Sequence, residues 1–192
     1  PFQFAEEAAA LDLIADGRIA LGVSRGSPET ALQGYRTFGY EDGEDSERGS
    51  VMAREKFELF LRAIEGERIA PGDPRMVGAG HYLAIEPQSP TLRDHIWWGS
   101  GSRATAESTG RMGLNMMSST LVTEATGQPF HELQREQIEL FRTAYKDAGH
   151  TGAPRDSVSR SVFPLVSDQD RAYFGLRSEE NHDQIGVIDG FR

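Results

Sequence analysis

The chain has 192 residues, a formal net charge of −10 and no cysteine. That length supports one domain with a substantial core. The acidic balance argues against a nucleic-acid partner, whose phosphates need clustered Lys and Arg, and the missing cysteines exclude a disulfide scaffold or thiolate metal site within these residues.

No apolar run reaches the length of a membrane span, and Glu6 and Glu7 stand where a signal peptide is basic and then apolar. No membrane partner is expected, and a cytoplasmic enzyme or binding domain is. The chain opens within a helical pattern: Phe4, Ala8, Leu11 and Ala15 recur at helical spacing, and Gly17 stands where the helix ends. Arg18 to Val23 then predicts a strand in which Ile19, Leu21 and Val23 alternate with Ala20 and Gly22, small enough for a strand covered on both faces. A polar loop from Ser27 to Gly49 leads to a second helix with Ala53, Phe57, Phe60, Leu61 and Ile64 on one face. Four prolines, at 71, 74, 87 and 90, punctuate the next region, where Met76 to Ile85 predicts a short excursion from the core.

His95 to Ser102 predicts the next strand by its aromatic residues, followed by a short helix over Ala104 to Met112 and a third strand over Leu114 to Ser119. The longest helix is expected from Phe130 to Ala148, with Pro129 at its start, Gly149 as its stop, and Leu133, Ile138, Phe141, Tyr145 and Ala148 as its buried stripe. Val158 to Val166 predicts a fourth strand, with Pro164 near its end because proline cannot donate a ladder bond. A final helix is expected from Asp168 to Phe174, and the segment from Ser178 to Arg192 has no clear period. Strand and helix alternate four times, which calls for a parallel sheet in an α/β fold.

Two strand exits look alike, Ser24-Arg25-Gly26 and Gly99-Ser100-Gly101-Ser102-Arg103-Ala104-Thr105. In parallel α/β folds the carboxyl ends of strands are where ligands sit. Glycines let backbone amides approach a phosphate, Ser102 and Thr105 offer hydroxyls one helical turn apart, the following helix presents free N–H groups, and Arg25 supplies a charged fork. Two other readings stay open: Arg25 as a rim arginine paired to a surface carboxylate, and Ser102 as a simple helix cap.

The segment from Phe4 to Gly26 resembles the central signature of the bacterial luciferase-like monooxygenases, in which a helix precedes the fourth barrel strand and that strand ends in an arginine-glycine pair. Trp97-Trp98-Gly99-Ser100-Gly101-Ser102-Arg103-Ala104-Thr105-Ala106-Glu107, followed by Met112-Gly113-Leu114, is similar to the family's fifth strand and the short helix that receives the flavin phosphate. The resemblance continues through Pro129 to Leu133 and Ser159 to Val166, and is weakest over the loops Ser27 to Gly49 and Gly66 to Pro90. It implies an α/β fold, the eight-stranded (β/α)8 TIM barrel, which takes roughly 300 or more residues in this family. Residues 1–192 are then expected to be one barrel domain, incomplete at both ends, holding strands four to seven. Four strands alone expose two long edges, so either further chain or a homo-oligomer is expected to cover them.

By the same resemblance Arg25 pairs with the flavin phosphate and Ser102 and Thr105 are its hydroxyl ligands. Gly101 replaces the glutamate of the luciferase proper. Gly99 leaves bare backbone for the isoalloxazine ring, and Ser24 lies just behind the ring, where the luciferase has a cysteine. The implied activity is that of a flavoprotein oxidoreductase, a monooxygenase taking reduced FMN from a separate flavin reductase and activating O2 against a small organic substrate. Deazaflavin F420 with hydride transfer, and a non-catalytic flavin-binding relative, are the alternatives. No catalytic base is assigned, since the positions that carry one in relatives fall in strands outside these residues. Arg160 is a further candidate for reaching an acidic substrate. His81, His95, His131, His150 and His182 show no metal spacing and are expected to cap or face solvent. At most one of Trp97 and Trp98 can face the barrel interior, because neighbouring strand residues point oppositely. Met116 and Met117 are expected in or near the core.

Overall fold

The computed structural model describes residues 1–24, 46–119, 127–158 and 164–175, with 46–50 and 174–175 as backbone only. The chain divides into two compact units, Pro1–Ile96 and Trp97–Arg192.

The first unit begins with α1, Phe2–Ile14. Its buried residues are Ala5, Ala8, Ala9 and Asp12, while Phe4 and Leu11 are exposed. The expected Phe4–Leu11 stripe is thus displaced by one position to a row of small side chains. Alanines let a helix approach its neighbours closely, and the charged end of the row is neutralised locally, as described below. The helix stops as expected: Asp16 and Gly17 take left-handed φ values of 54° and 68°, and the Gly17 amide donates to the Asp12 carbonyl at 2.9 Å. The strand β1 that follows is shorter than expected, Leu21–Val23. From Ile19 to Ser24 half-buried and exposed residues alternate, so among the described residues one face of this segment is open rather than covered.

Helix α2, Ser46–Ile64, buries Phe57, Phe60, Leu61, Ala63 and Ile64, close to the expected face. The Phe60 ring lies 5.2 Å from Phe4 and 5.7 Å from Phe57, centroid to centroid. The excursion is a two-stranded antiparallel ribbon of β2, Ala70–Pro71, and β3, Tyr82–Leu83, around a single turn of helix, α3, Pro74–Val77. A 3₁₀ turn over Leu92–His95 with Leu92 fully buried completes the unit.

The second unit is a βαβαβ series. Strand β4, Ile96–Ser100, is followed by α4, Arg103–Arg111, then β5, Asn115–Ser118, then α5, Phe130–Asp147, then β6, Asp156–Val158. β4 pairs with β5 and β5 with β6, both parallel, as the alternation predicted. Register sets the two faces. Trp98 pairs with Met116 and Ser100 with Ser118; all four are buried, and Met116 packs against Ala106 of α4 and Phe141 of α5. This is the helix-covered face. Gly99, Met117 and Ser157 lie side by side on the opposite face, where Met117 is 45% exposed, so only Met116 is core. Trp97 also belongs to that second face and carries the Arg155 guanidinium 5.4 Å from its ring, which agrees with the expectation that only one of the pair faces that side.

Helices α4 and α5 come into backbone contact at Gly110. A Cβ there would stand 2.3 Å from the Phe141 carbonyl oxygen and 2.9 Å from the Tyr145 nitrogen. Only glycine permits that approach. The C-terminal end of α4 is closed by His150, whose Nε2–H donates to the Arg111 carbonyl at 2.8 Å, the capping role expected of a histidine.

The fourth strand starts two residues before the expected Val158. The ladder lies at Asp156–Val158, Pro164 to Val166 are not in a strand, and residues 159–163 are outside the described set. Pro164 lies outside the described strand, as suits a residue that cannot donate a ladder bond, and Asp156 at the start of β6 is engaged by Arg142 of α5 at 2.7 Å. The last helix is one turn, α6, Asp168–Asp170, held by a reciprocal Ser167–Asp170 capping box and continued by a π turn over Arg171–Gly175.

Candidate functional site

The exit of β4 brings Ser102 and Thr105 together. Ser102 has extended backbone and is the N-cap of α4: its Oγ accepts from the Thr105 amide at 3.2 Å, its carbonyl accepts from the Ala106 amide at 3.0 Å, and its Oγ lies 3.0 Å from Thr105 Oγ1. Two hydroxyls that share one hydrogen bond leave one O–H hydrogen over, so the pair always has a donor to offer. The start of a nine-residue helix adds a partial positive charge. The capping reading of Ser102 therefore holds geometrically, and it leaves the donor set for an anion in place.

Gly99 lies on the face away from the helices, and Gly101 and Ser102 are half-buried at the strand exit. Ser24 is exposed one residue beyond β1. Arg25, and with it the charged fork expected at the phosphate, lies outside the described residues, as do Arg160, His182 and the loop up to residue 45. The donors present at β4 and α4 fit a phosphate monoester: hydroxyls, helix amides and a glycine at the approach. The nearest described cation, Arg103, is held by Glu136 of α5 at 3.0 Å.

A second polar cluster escaped the sequence reading. Asp12, fully buried, receives Ser89 Oγ and Thr91 Oγ1 on Oδ2, each at 2.6 Å, and His95 Nδ1 on Oδ1 at 3.1 Å. Burial pushes the Asp12 carboxyl up. Hydrogen bonds from Ser89, Thr91 and His95, with the attraction of the imidazole, outweigh it and hold the group below its ordinary value. All the side-chain donors point at the carboxylate, which is the arrangement of a clasp: it ties the end of α1 to the turn before β4.

Elsewhere, an open groove beside α5 and β6 is lined by Gln134, Ile138, Arg142 and Val158 among others. Its charges are already spent, Arg142 on Asp156 and Arg135 on Glu132 and Glu139. Among the described residues no group of His, Asp and Glu has the disposition of a metal site, and no described helix is long and apolar enough to cross a membrane.

A family model described as luciferase-like monooxygenase matches residues 1–174. Among solved structures, the chain is similar to the monooxygenase RslO1 from Streptomyces bottropensis, with 20% identity, a TM-score of 0.61, and coverage of 93% of this chain and 51% of that one. It is also similar to the oxygenating constituent of 3,6-diketocamphane monooxygenase from the CAM plasmid of Pseudomonas putida, a type II Baeyer-Villiger monooxygenase solved in complex with FMN. That match has 19% identity, a TM-score of 0.63, and coverage of 93% of this chain and 51% of that one. No curated protein matches the sequence. The chain spans about half the length of the solved structures it matches, and its alternating parallel order is that of their (β/α)8 barrel.

Proposed function

From the premise that the chain belongs to the luciferase-like monooxygenase family, we propose that it forms the cofactor-phosphate half of an FMN-dependent monooxygenase barrel. The reduced flavin comes from a separate reductase, and the substrate is a small organic molecule. One observation carries the reading: the hydroxyls of Ser102 and Thr105 meet 3.0 Å apart at the start of α4, at the carboxyl end of a parallel strand.

In this reading Ser102, Thr105 and the first amides of α4 receive the phosphate oxygens, and Arg25 balances the phosphate charge. Gly99 gives the flavin ring a flat approach to the strand. The flavin, when bound, supplies the activation of O2; the chain's own task is to orient the cofactor and exclude water from it. The family resemblance assigns Ser24 a position just behind the ring. Gly101, without a carboxylate, leaves the phosphate no acidic neighbour at that position.

Anaerobic titration of the protein with reduced FMN and with reduced F420, followed by oxygen uptake on mixing with air, tests the proposal. Saturable FMN binding with substrate-dependent oxygen uptake is expected. Preferential F420 binding without oxygen uptake would replace the monooxygenase by a hydride-transferring relative, and FMN binding with substrate-independent loss of the reduced flavin would leave a flavin binder.

A further inference from the structure

Helix α5 carries two glutamines on its buried face, Gln134 at 2% exposure and Gln137 at 0%. Each uses half of its amide. Gln134 Nε2 donates to the Ser119 carbonyl at 3.2 Å, and Gln137 Oε1 accepts from Ser118 Oγ at 3.3 Å. The other halves, Gln134 Oε1 and Gln137 Nε2, are buried with no partner among the described residues. Buried polar groups are ordinarily paired, and one left over costs stability. Leucine or methionine at either position would continue the apolar stripe of Leu133 and Phe141 without that cost. Two such groups on one helix face, at the end of one strand, call for a reason other than packing.

What the used halves hold supplies the reason. Ser119, gripped by Gln134, donates its amide to the Ser100 carbonyl at 2.7 Å, and Ser100 Oγ donates to the Ser102 carbonyl at 3.1 Å. The same Ser102 carbonyl accepts the first helical bond of α4. A continuous series of hydrogen bonds therefore runs from α5 through the ends of β5 and β4 to the turn that sets the Ser102 and Thr105 hydroxyls. The Arg103–Glu136 pair makes a parallel tie one residue beyond that turn.

We propose that Gln134 and Gln137 are positioning residues for the phosphate-binding turn, retained at the expense of stability because they fix the exits of β4 and β5 against α5. The proposal rests on the phosphate reading of Ser102 and Thr105.

The test uses Gln134→Met and Gln137→Met, with dissociation constants for reduced FMN and for reduced riboflavin, thermal melting, and amide hydrogen exchange at Ser119 and Thr105. A lost neutral hydrogen bond corresponds to roughly a three- to tenfold change in affinity. Expected are FMN binding weakened by about that factor, riboflavin binding within about twofold of wild type, melting unchanged or raised, and faster exchange at both amides. Should Gln134→Met fail to fold, Gln134→Leu removes the same donor to Ser119 with an apolar side chain of similar volume, and is expected to show the same FMN loss. FMN affinity within twofold of wild type in both variants, or equal weakening of both ligands with lowered melting, overturns the proposal. Ser102→Ala separates the two levels. If it weakens FMN selectively while the glutamine variants do not, the positioning role alone falls; if it also leaves FMN unaffected, the phosphate reading falls with it.

Discussion

Replacing Asp12 removes the acceptor on which three side chains converge. Hydrogen bonds to a charged group contribute about 1.5–3 kcal/mol each, but they do not add independently when they share one carboxylate. Breaking a buried charged cluster from one side costs about 3–5 kcal/mol, and Asp12→Ala should fall in that range, because it removes the one acceptor shared by Ser89, Thr91 and His95 and opens a void beside Ala8 and Ala9. Asp12→Asn should cost less, about 1–2 kcal/mol: the remaining oxygen still receives Ser89 and Thr91, and the new amide can donate to His95 Nδ1 once the imidazole takes its other tautomer. The pH dependence follows from the direction of the shift. Asp12 is held below its ordinary value in the folded protein, so its contribution is complete above the unfolded carboxylate value of about 3.9 and is lost as pH falls through the lower folded value. Urea unfolding at pH 7, and then stepwise from pH 6 to pH 3, gives the result directly. The gap between wild type and Asp12→Asn should stay constant down to about pH 4 and close below it. A cost under about 1 kcal/mol for Asp12→Ala, or a gap that ignores pH, would refute the clasp.

Gly110→Ala should destabilise by about 1–3 kcal/mol in chemical unfolding, although glycine to alanine within a helix ordinarily gains up to about 1 kcal/mol; the Cβ would meet the Phe141 carbonyl at 2.3 Å. A stabilised variant would mean that α4 and α5 do not touch there. Gly99→Leu should weaken flavin binding with little change in melting, since it adds bulk on the face opposite the helices; unaltered flavin affinity would place the ring elsewhere. Thr105→Val should weaken reduced FMN roughly three- to tenfold in an anaerobic titration and leave riboflavin nearly unchanged, whereas equal loss of both ligands would assign Thr105 to the helix cap alone.

Much of the second unit was legible because each of its elements carries a local signal. Trp98 and Ser100 alternate with Trp97 and Gly99, Pro129 and Gly149 bracket α5, and Ser102 announces the start of α4. The errors lie where burial is decided by distant residues. On α1 the periodicity of Phe4 and Leu11 was real, but the buried row is Ala5, Ala8, Ala9 and Asp12, and the partners that make a buried carboxylate tolerable stand 77 to 83 residues further on. On α5 the positions 130, 133, 137, 141 and 144 keep helical spacing, so Gln137 sits in the stripe by geometry and was hidden by its polarity. On β6 the described strand opens with Asp156 and Ser157, polar residues that stand ahead of the apolar run marking it in the sequence. At the site itself, the residue types at β4 and α4 were legible from spacing, and their meeting at 3.0 Å is the structural addition.

The proposed phosphate role is tested most directly by the affinity ratio of reduced FMN to reduced riboflavin in the wild-type protein and in Arg25→Ala. A charge-assisted hydrogen bond of about 1.5–3 kcal/mol corresponds to a loss of roughly ten- to a hundredfold. The account predicts that loss for FMN, with riboflavin binding little changed and melting preserved. Equal losses for the two ligands, or a wild-type protein that does not distinguish FMN from riboflavin, would contradict it.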